Sequence, residues 1–271
     1  SGGSVYITCR ALTGSGVVQA AGGSNTHVDT GGGGGGGRIA VIYDTDEQAA
    51  LPVPGIVFSA AGGNFSISNP GDLGTLYFPD NRFLEPTVRH SGQWRVPGFA
   101  SWSVPSLTLT NAWIRFDQDG VILSVVGDVT LAGPNTSLEL GGNVTTNYYL
   151  FTSRQRFYFY SAAAGPTLAV DGGMILTNGA RLTVFCGPRD AEGRGALVDV
   201  AGDMSLHKNS WIYPHMYQPH DAAGAVAGAA GIACFRMHGL TIATNAGFNA
   251  DGAGYGWNST TAYGYGPGGG S

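Results

Sequence analysis

The feature that most constrains the fold of this chain is an internal repeat. Residues 168–182 align without a gap on residues 198–212, and residues 123–138 join them when one insertion is allowed. Each copy holds alternating apolar positions, a Gly-Asp or Gly-Gly turn, a short apolar strand ending in Leu, and a second turn rich in Asn and Gly. Residues 107–116 form a partial fourth copy. A chain that repeats its own pattern is expected to stack equivalent units on one another.

Alternation of apolar residues with period two, broken by closely spaced turns, predicts short β-strands. Two architectures fit this pattern, an antiparallel sandwich and a parallel β-helix. The likeness of successive copies favours the second, because stacked coils present the same inward positions at each level. We therefore predict an all-β parallel β-helix or β-solenoid, with irregular loop insertions and glycine-rich ends. Its equivalent inward positions would be Leu131, Leu176 and Leu206.

We expect a single β-solenoid domain over residues 1–271. Two stretches depart from the repeat. Residues 46–105 are rich in proline and turn residues and are interpreted as long loops or a small β insertion. Residues 221–234 are dominated by Ala and Gly and are interpreted as a loop that interrupts the solenoid.

Composition excludes several classes of protein. Glycine accounts for 46 of the 271 residues, yet it does not recur at every third position as a collagen helix requires. Charged residues make up 11% and hydrophobic residues 43%, so enough apolar surface exists for a core and disorder is not expected. The net charge of −5, with no basic cluster, argues against nucleic acid as a partner. No apolar run approaches the roughly 18 residues of a membrane span.

The two ends of the chain resemble each other. Residues 17–23 are similar to residues 247–252, and the glycine-rich residues 264–271 lead naturally into the pattern of residues 1–8. This likeness predicts head-to-tail continuity, either with further repeats of a longer polypeptide or with the next subunit of a polymer.

Residues 1–23, followed by the glycine run and the strand-like residues 38–43, resemble glycine-rich segments of large secreted bacterial surface proteins. The C-terminal residues 264–270 are similar to the glycine-rich junctions of the same proteins. The resemblance implies a β-solenoid outside the cell. It brings no catalytic residues with it.

The uninterrupted glycine run spans residues 31–37. A dinucleotide site requires a helix after its glycines, and here an apolar strand follows, so nucleotide binding is not expected. The run is interpreted as a loop or tightly packed backbone. Because glycine lets backbone N–H and C=O groups of neighbouring segments meet closely, Gly31, Gly34 and Gly37 are also candidates for contact between subunits.

Residues 148–160 contain seven aromatic residues around two arginines. Strand alternation cannot bury all of them on one face, so some are expected at the surface, where large apolar patches mark contacts. We interpret them as a subunit interface, with a carbohydrate platform or cover by a local loop as alternatives. The interface candidates here and near the C-terminus are Tyr148, Tyr149, Phe157, Tyr158, Tyr160, Tyr265 and Gly268.

Carboxylates at Asp117, Asp119 and Asp128 are weak candidates for a structural calcium ion. Turn formation explains them equally, since neither the EF-hand loop nor the calcium-binding nonapeptide repeat is present. No other cofactor is expected. Enzymes that cleave polysaccharides on a β-helix need acidic and basic groups on one face. Asp199, Asp203, Arg181 and Arg194 are the candidates, and of these the sequence places only Asp199 and Asp203 in one repeat. Because Asp recurs here as part of the turn, we do not expect an enzyme.

The function that these observations favour is structural. We expect an extracellular or cell-surface protein that assembles head to tail into a filament, sheath or surface fibre. Its partner would then be another copy of itself, with a surface polysaccharide as a second candidate partner. Two alternatives remain open: a monomeric adhesin or carbohydrate-binding module, and a β-helix polysaccharide lyase or hydrolase.

Overall fold

A computed structural model describes residues 1–24, 32–63, 71–142, 163–216 and 231–251, together with the backbone of residues 144–150 and 155–160. The chain is all-β, with 49% strand and 2% helix, and its large sheets are parallel, as a β-helix-like fold requires. This confirms the predicted all-β class and the parallel arrangement. The antiparallel sandwich does not match, because the antiparallel pair among the described strands is a single hairpin.

The described elements follow one another as short strands with a single short helix near the N-terminus. In chain order they are β1 (Ser4–Thr8), β2 (Ser15–Gln19), β3 (Arg38–Ile42), α1 (Thr45–Ala49), β4 (Gly55–Ser59), β5 (Thr75–Tyr77), β6 (Thr87–Val88), β7 (Gly92–Arg95), β8 (Ser101–Val104), β9 (Leu107–Thr110), β10 (Trp113–Phe116), β11 (Ile122–Val125), β12 (Val129–Ala132), β13 (Ser137–Leu140), β14 (Val144–Leu150), β15 (Gln155–Tyr160), β16 (Thr167–Val170), β17 (Met174–Thr177), β18 (Arg181–Phe185), β19 (Arg194–Leu206), β20 (Trp211–His215), β21 (Ile232–Ile242) and β22 (Gly247–Phe248).

The chain divides into two compact units, and the expectation of one continuous domain stays a prediction. The first unit holds residues 1–99, 107–115 and 135–138. Within it, β1, β3, β5, β7 and β10 lie side by side in parallel. Strand β2 pairs with β4 and β6 with β9, again in parallel. Residues 46–105, interpreted from sequence as loops or a small β insertion, therefore contain strands β4 to β8 separated by loops.

The second unit holds residues 100–106, 116–134 and 139–271. Strands β8, β11, β16, β19 and β21 form one parallel run. Strand β12 pairs with β17, and β17 pairs with the second half of the long strand β19. Strands β18, β20 and β22 form another parallel run. Of the predicted loop at 221–234, residues 221–230 lie outside the described residues, and β21 begins at Ile232.

Strand pairing in the second unit reproduces the sequence repeat. Leu168 pairs with Val198, and Leu182 with Ile212, which is the ungapped alignment of the two copies. Leu131 pairs with Leu176, and that leucine with Leu206. All three leucines are at most 1% exposed, so the predicted inward positions are confirmed.

The turn glycines of the repeat also stack. The backbone N–H of Gly172 donates to the carbonyl of Gly127 at 3.2 Å, and that of Gly202 donates to the carbonyl of Gly172 at 2.9 Å. A Cβ at Gly202 would lie 2.7 Å from the carbonyl oxygen of Gly172, closer than side chains approach backbone. Glycine at this point of each copy therefore lets successive turns lie in direct contact.

Candidate functional site

Among the described strands of the second unit, β21 has inward side chains that are less covered than those of its neighbour β19. Met204 and Leu206 of β19 are buried, at 0% and 1% exposure. Their register partners on β21 are Leu240 and Ile242, which are 45% and 47% exposed. The same inward positions are thus filled with apolar residues on both strands, but on β21 they face solvent on one side.

The first unit shows the same change at β1. Ile39 and Val41 of β3 are completely buried, whereas their register partners Val5 and Ile7 on β1 are half-buried. In the order of the described strands, β1 is also the edge strand of its sheet. Gly3 accepts from the N–H of Arg38, and the N–H of Cys9 donates to Ile42. Since bonding alternates along a parallel strand, the backbone groups of Ser4, Tyr6 and Thr8 are directed away from β3.

The glycine run forms a layer of closely packed backbone in the first unit, which we call the glycine layer. Its central segment is residues 33–37. The N–H of Gly36 donates to Asp72 at 2.8 Å, the N–H of Gly34 donates to Gly23 at 2.9 Å, and the carbonyl of Gly35 accepts from Gly2 at 2.7 Å.

A fourth neighbour completes the contacts of this segment. The carbonyl of Gly34 accepts from the N–H of Gly63 at 2.8 Å. A Cβ added at Gly36 would collide with the carbonyl oxygen of Ala60, and one at Gly37 with that of Gly3. The segment therefore needs glycine for steric reasons, and it is bonded to more neighbours than the two of a strand in a sheet.

At the described positions of the glycine run, where contact between subunits was predicted, the structure shows contacts within the chain. Gly37 is buried, and both backbone groups of Gly34 are bonded within the chain. Close approach of backbone was the expected property, and the neighbours are other segments of the same chain. Gly31, Tyr265 and Gly268 lie outside the described residues, so their role in an interface stays a prediction.

The aromatic segment contains the antiparallel hairpin formed by β14 and β15. In its register Tyr148 pairs with Phe157, and Tyr149 with Arg156. Tyr158 pairs with Asn147, and Tyr160 pairs with Val144. Among the candidates, the hairpin thus brings Tyr148 and Phe157 opposite each other in the backbone. The proposed contact of these residues with another subunit remains a prediction.

The calcium candidates are not gathered into a ligand set. Asp117 is buried, Asp119 is exposed, and the carboxylate of Asp128 accepts a hydrogen bond from the backbone N–H of Gly173 at 2.7 Å. Across the part of the chain that the structure describes, no group of three or more His, Cys, Asp or Glu side chains is placed to hold a metal ion. The hydrogen bond between Asp128 and Gly173 fits the structural role in a turn that the sequence also allowed for this aspartate.

The acidic residues considered for catalysis are bonded to basic side chains at the surface. Asp199 lies 2.7 Å from the guanidinium of Arg236, and Asp203 lies 2.8 Å from Nδ1 of His238. The sequence did not single out Arg236 or His238, because each lies more than 30 residues from its partner and only coil stacking brings them together. Both pairs follow from pairing of β19 with β21, so they link these two strands.

Among the described residues, no helix has the length and apolarity needed to cross a membrane. Comparison with protein-family models, with curated proteins and with solved structures gave no match.

Proposed function

We propose that this protein is a β-solenoid that serves as an extracellular structural protein and joins copies of itself head to tail into a filament, sheath or surface fibre. The solenoid interpretation is supported by the agreement between strand register and repeat. Leu131, Leu176 and Leu206 lie at one inward position on three successive strands of the second unit. A coil that repeats in this way can be extended by any further coil of the same kind.

The observation that carries the proposal is the change in exposure between register partners. Leu206 is 1% exposed and Ile242, its partner on β21, is 47% exposed. Covering these half-exposed apolar groups with a further layer lowers the free energy by roughly 25 cal/mol for each Å² of apolar surface removed from water. The chemistry of this surface therefore fits another apolar β-coil.

A second copy fits because β1 offers the matching half of such a contact. Its inward residues Val5 and Ile7 are also half-buried, and its outer edge presents the backbone groups of Ser4, Tyr6 and Thr8. Strand edges of this kind pair with other strands unless charges or prolines block them, and β1 has neither. A contact between two different surfaces of the same chain repeats without closing, which yields a fibre.

The experiment compares two substitutions of one residue type. Ile242→Lys places a charge at the proposed joint, and Ile122→Lys places the same charge on β11, where Ile122 is 46% exposed and β8 and β16 flank it. We expect the unaltered protein to sediment as polymers and to show fibres by electron microscopy. Ile242→Lys should leave smaller species with unchanged circular dichroism, and Ile122→Lys should still polymerise.

A variant at the other end tests the same joint independently. Thr8→Pro removes an N–H that is directed away from β3 and makes none of the hydrogen bonds described for the structure, but it blocks pairing with another strand. Val17→Ala, at a 66% exposed residue of β2 outside this contact, keeps all backbone groups and serves as the control. A strictly monodisperse monomer of the unaltered protein at high concentration, or equal loss of polymers in Ile122→Lys, would refute head-to-tail assembly.

Location outside the cell rests on the resemblance to secreted bacterial surface proteins and is tested separately. Brief protease treatment of intact cells should remove the protein, while a cytoplasmic marker in the same cells is spared. Protection of both proteins would contradict the proposed location without bearing on assembly.

A further inference from the structure

The outer face of the first unit carries an ordered row of aromatic and cationic side chains. Tyr6, Ala40, Tyr77 and Arg95 are register partners on β1, β3, β5 and β7. Their neighbours along each strand are the inward residues, of which Ile39, Leu76 and Trp94 are completely buried. Because successive side chains of a strand point to opposite faces, the row that contains the tyrosines lies on the outer face.

The two tyrosines are exposed and are separated by a small residue. Tyr6 is 73% exposed and Tyr77 is 37% exposed. Two strand spacings separate their backbones, a distance of about 10 Å. Ala40, whose side chain is a single methyl group, lies between them in the register. The face thus presents two aromatic rings at an interval comparable to the length of a disaccharide unit.

The charges on these four strands have one sign. Arg38 and Arg95 are their charged residues, and Arg38 lies one outward position away from Ala40 on β3. The acidic residues nearest β5 in the sequence are bonded elsewhere, Asp72 to the guanidinium of Arg115 at 2.9 Å and Asp80 to the hydroxyl of Tyr43. Arg95 is half-buried and donates to Oε1 of Gln93 at 3.3 Å. The net charge of the whole chain is −5, whereas the charged residues of these four strands are both arginine. Guanidinium groups bind carboxylates with paired hydrogen bonds.

We propose that this face binds a linear polysaccharide that carries carboxylate groups, lying across the strands. The sugar rings stack on Tyr6 and Tyr77, and the carboxylates meet Arg38 and Arg95 between and beside them. Aromatic rings supply large apolar contact at low entropic cost, which suits the C–H faces of sugars. The site is separate from the proposed joint, because it uses the outer face of β1 and not its edge.

Single-stranded nucleic acid also stacks on aromatic side chains beside arginine. Its affinity depends on many phosphate contacts, however, and the four strands supply two arginines. A polysaccharide with one carboxylate in each sugar or disaccharide needs no more cations than these. The observations therefore favour the polysaccharide over the nucleic acid.

The test uses the unaltered protein with three probes: polygalacturonate, neutral dextran and a single-stranded oligonucleotide. We expect binding of polygalacturonate in titration calorimetry, weakened as salt is raised, and no binding of the other two. Tyr6→Ala combined with Tyr77→Ala should raise the Kd at least tenfold. Val17→Ala, at a 66% exposed apolar residue on β2 of the same unit, should leave the Kd unchanged.

Replacing Arg38 and Arg95 with Gln separates the two parts of the site, since it should abolish the salt dependence while the tyrosines remain. Sedimentation of each variant is measured in parallel. Equal affinity for dextran, tighter binding of the oligonucleotide, or no effect of the paired tyrosine substitution would overturn the proposal. Loss of polymers in the tyrosine variant, without loss of polysaccharide binding, would assign this face to contact between copies instead.

Discussion

The Nδ1 atom of His90 lies 3.2 Å from the backbone nitrogen of Phe58 and accepts its hydrogen bond. A backbone N–H can only donate, so this contact fixes the protonation of the ring. The other nitrogen, Nε2, carries the proton and donates to the carbonyl of Phe83 at 2.8 Å. The neutral imidazole is therefore fully satisfied within the aromatic core of the first unit, where Trp94 stacks on it.

Protonation of His90 is expected to destabilise the fold. Burial lowers the pKa of His90 in the folded state. The charge of Arg89 also lowers this pKa, whereas the hydrogen bond to the Phe83 carbonyl acts to raise it. A group whose folded pKa is depressed in this way favours folding in its neutral form. Its contribution is present above the unfolded pKa of about 6.5 and is lost as the pH falls below that value. Urea denaturation from pH 8 to pH 5 measures this loss.

Two variants identify the residue responsible for the pH dependence. His90→Phe keeps an aromatic ring but leaves the Phe58 N–H without its acceptor, so it should be less stable at pH 8 and less sensitive to pH. His207→Gln, at an exposed histidine, should keep the full dependence. If His90→Phe retains the slope of the unaltered protein, another group is responsible.

Glycine 37 is expected to tolerate no side chain. Gly37→Ala would drive a methyl group into the carbonyl of Gly3, and overpacking of this kind typically costs about 1–3 kcal/mol or more. Gly3→Ala is the matched control, because nothing lies within 4 Å of a Cβ there. Thermal denaturation should show a clear fall in Tm for the first variant and little change for the second. Equal changes would contradict the close packing of the glycine layer.

Adjacent residues of β17 should differ sharply in their contribution to stability. Leu176 is completely buried and Ile175 is 40% exposed. Leu176→Ala should cost about 2–5 kcal/mol through lost burial and the cavity left behind. Ile175→Ala should cost less than about 1 kcal/mol, since the scale of β-propensity spans that range. Chemical denaturation measures both, and similar losses would mean that the inward side of the coil is assigned wrongly.

Asn178 adopts a left-handed backbone conformation, with φ of 56°. Glycine adopts it without strain, whereas a β-branched residue does so rarely. Asn178→Gly should therefore stay close to the unaltered protein in unfolding free energy, and Asn178→Val should lose about 1–2 kcal/mol. Because the side chain is exposed, burial contributes little to the difference. Equal stability of the two variants would argue against the turn geometry.

The second unit was the more predictable part of the fold. Its repeats share a leucine at one equivalent inward position, and the aligned leucines Leu131, Leu176 and Leu206 are strand partners. Sequence periodicity determines register here because any slip would move these side chains to the opposite face. The hydrogen bond between Asp203 and His238 was missed, since Asp203 belongs to the recurring turn whereas His238 lies outside the aligned copies.

The first unit was harder to predict for a physical reason. Strand β5 contains three residues, too few to show a period, and the glycine layer has no side chains whose pattern could reveal its neighbours. The sequence indicated that polyglycine backbone would pack closely. It did not indicate that Gly2, Gly23, Gly63 and Asp72 would surround residues 33–37, because these partners are brought together by the paths of separate loops.

The glycine layer has a mechanical consequence. A sheet can be peeled from its edge, since each strand is held on two sides and its bonds can break one after another. Residues 33–37 are hydrogen-bonded to four neighbouring segments, so we expect a pull on one of them to be shared with the other three. Glycine is usually associated with pliancy, yet here its lack of a side chain permits a cross-linked packing that should resist shear in more than one direction.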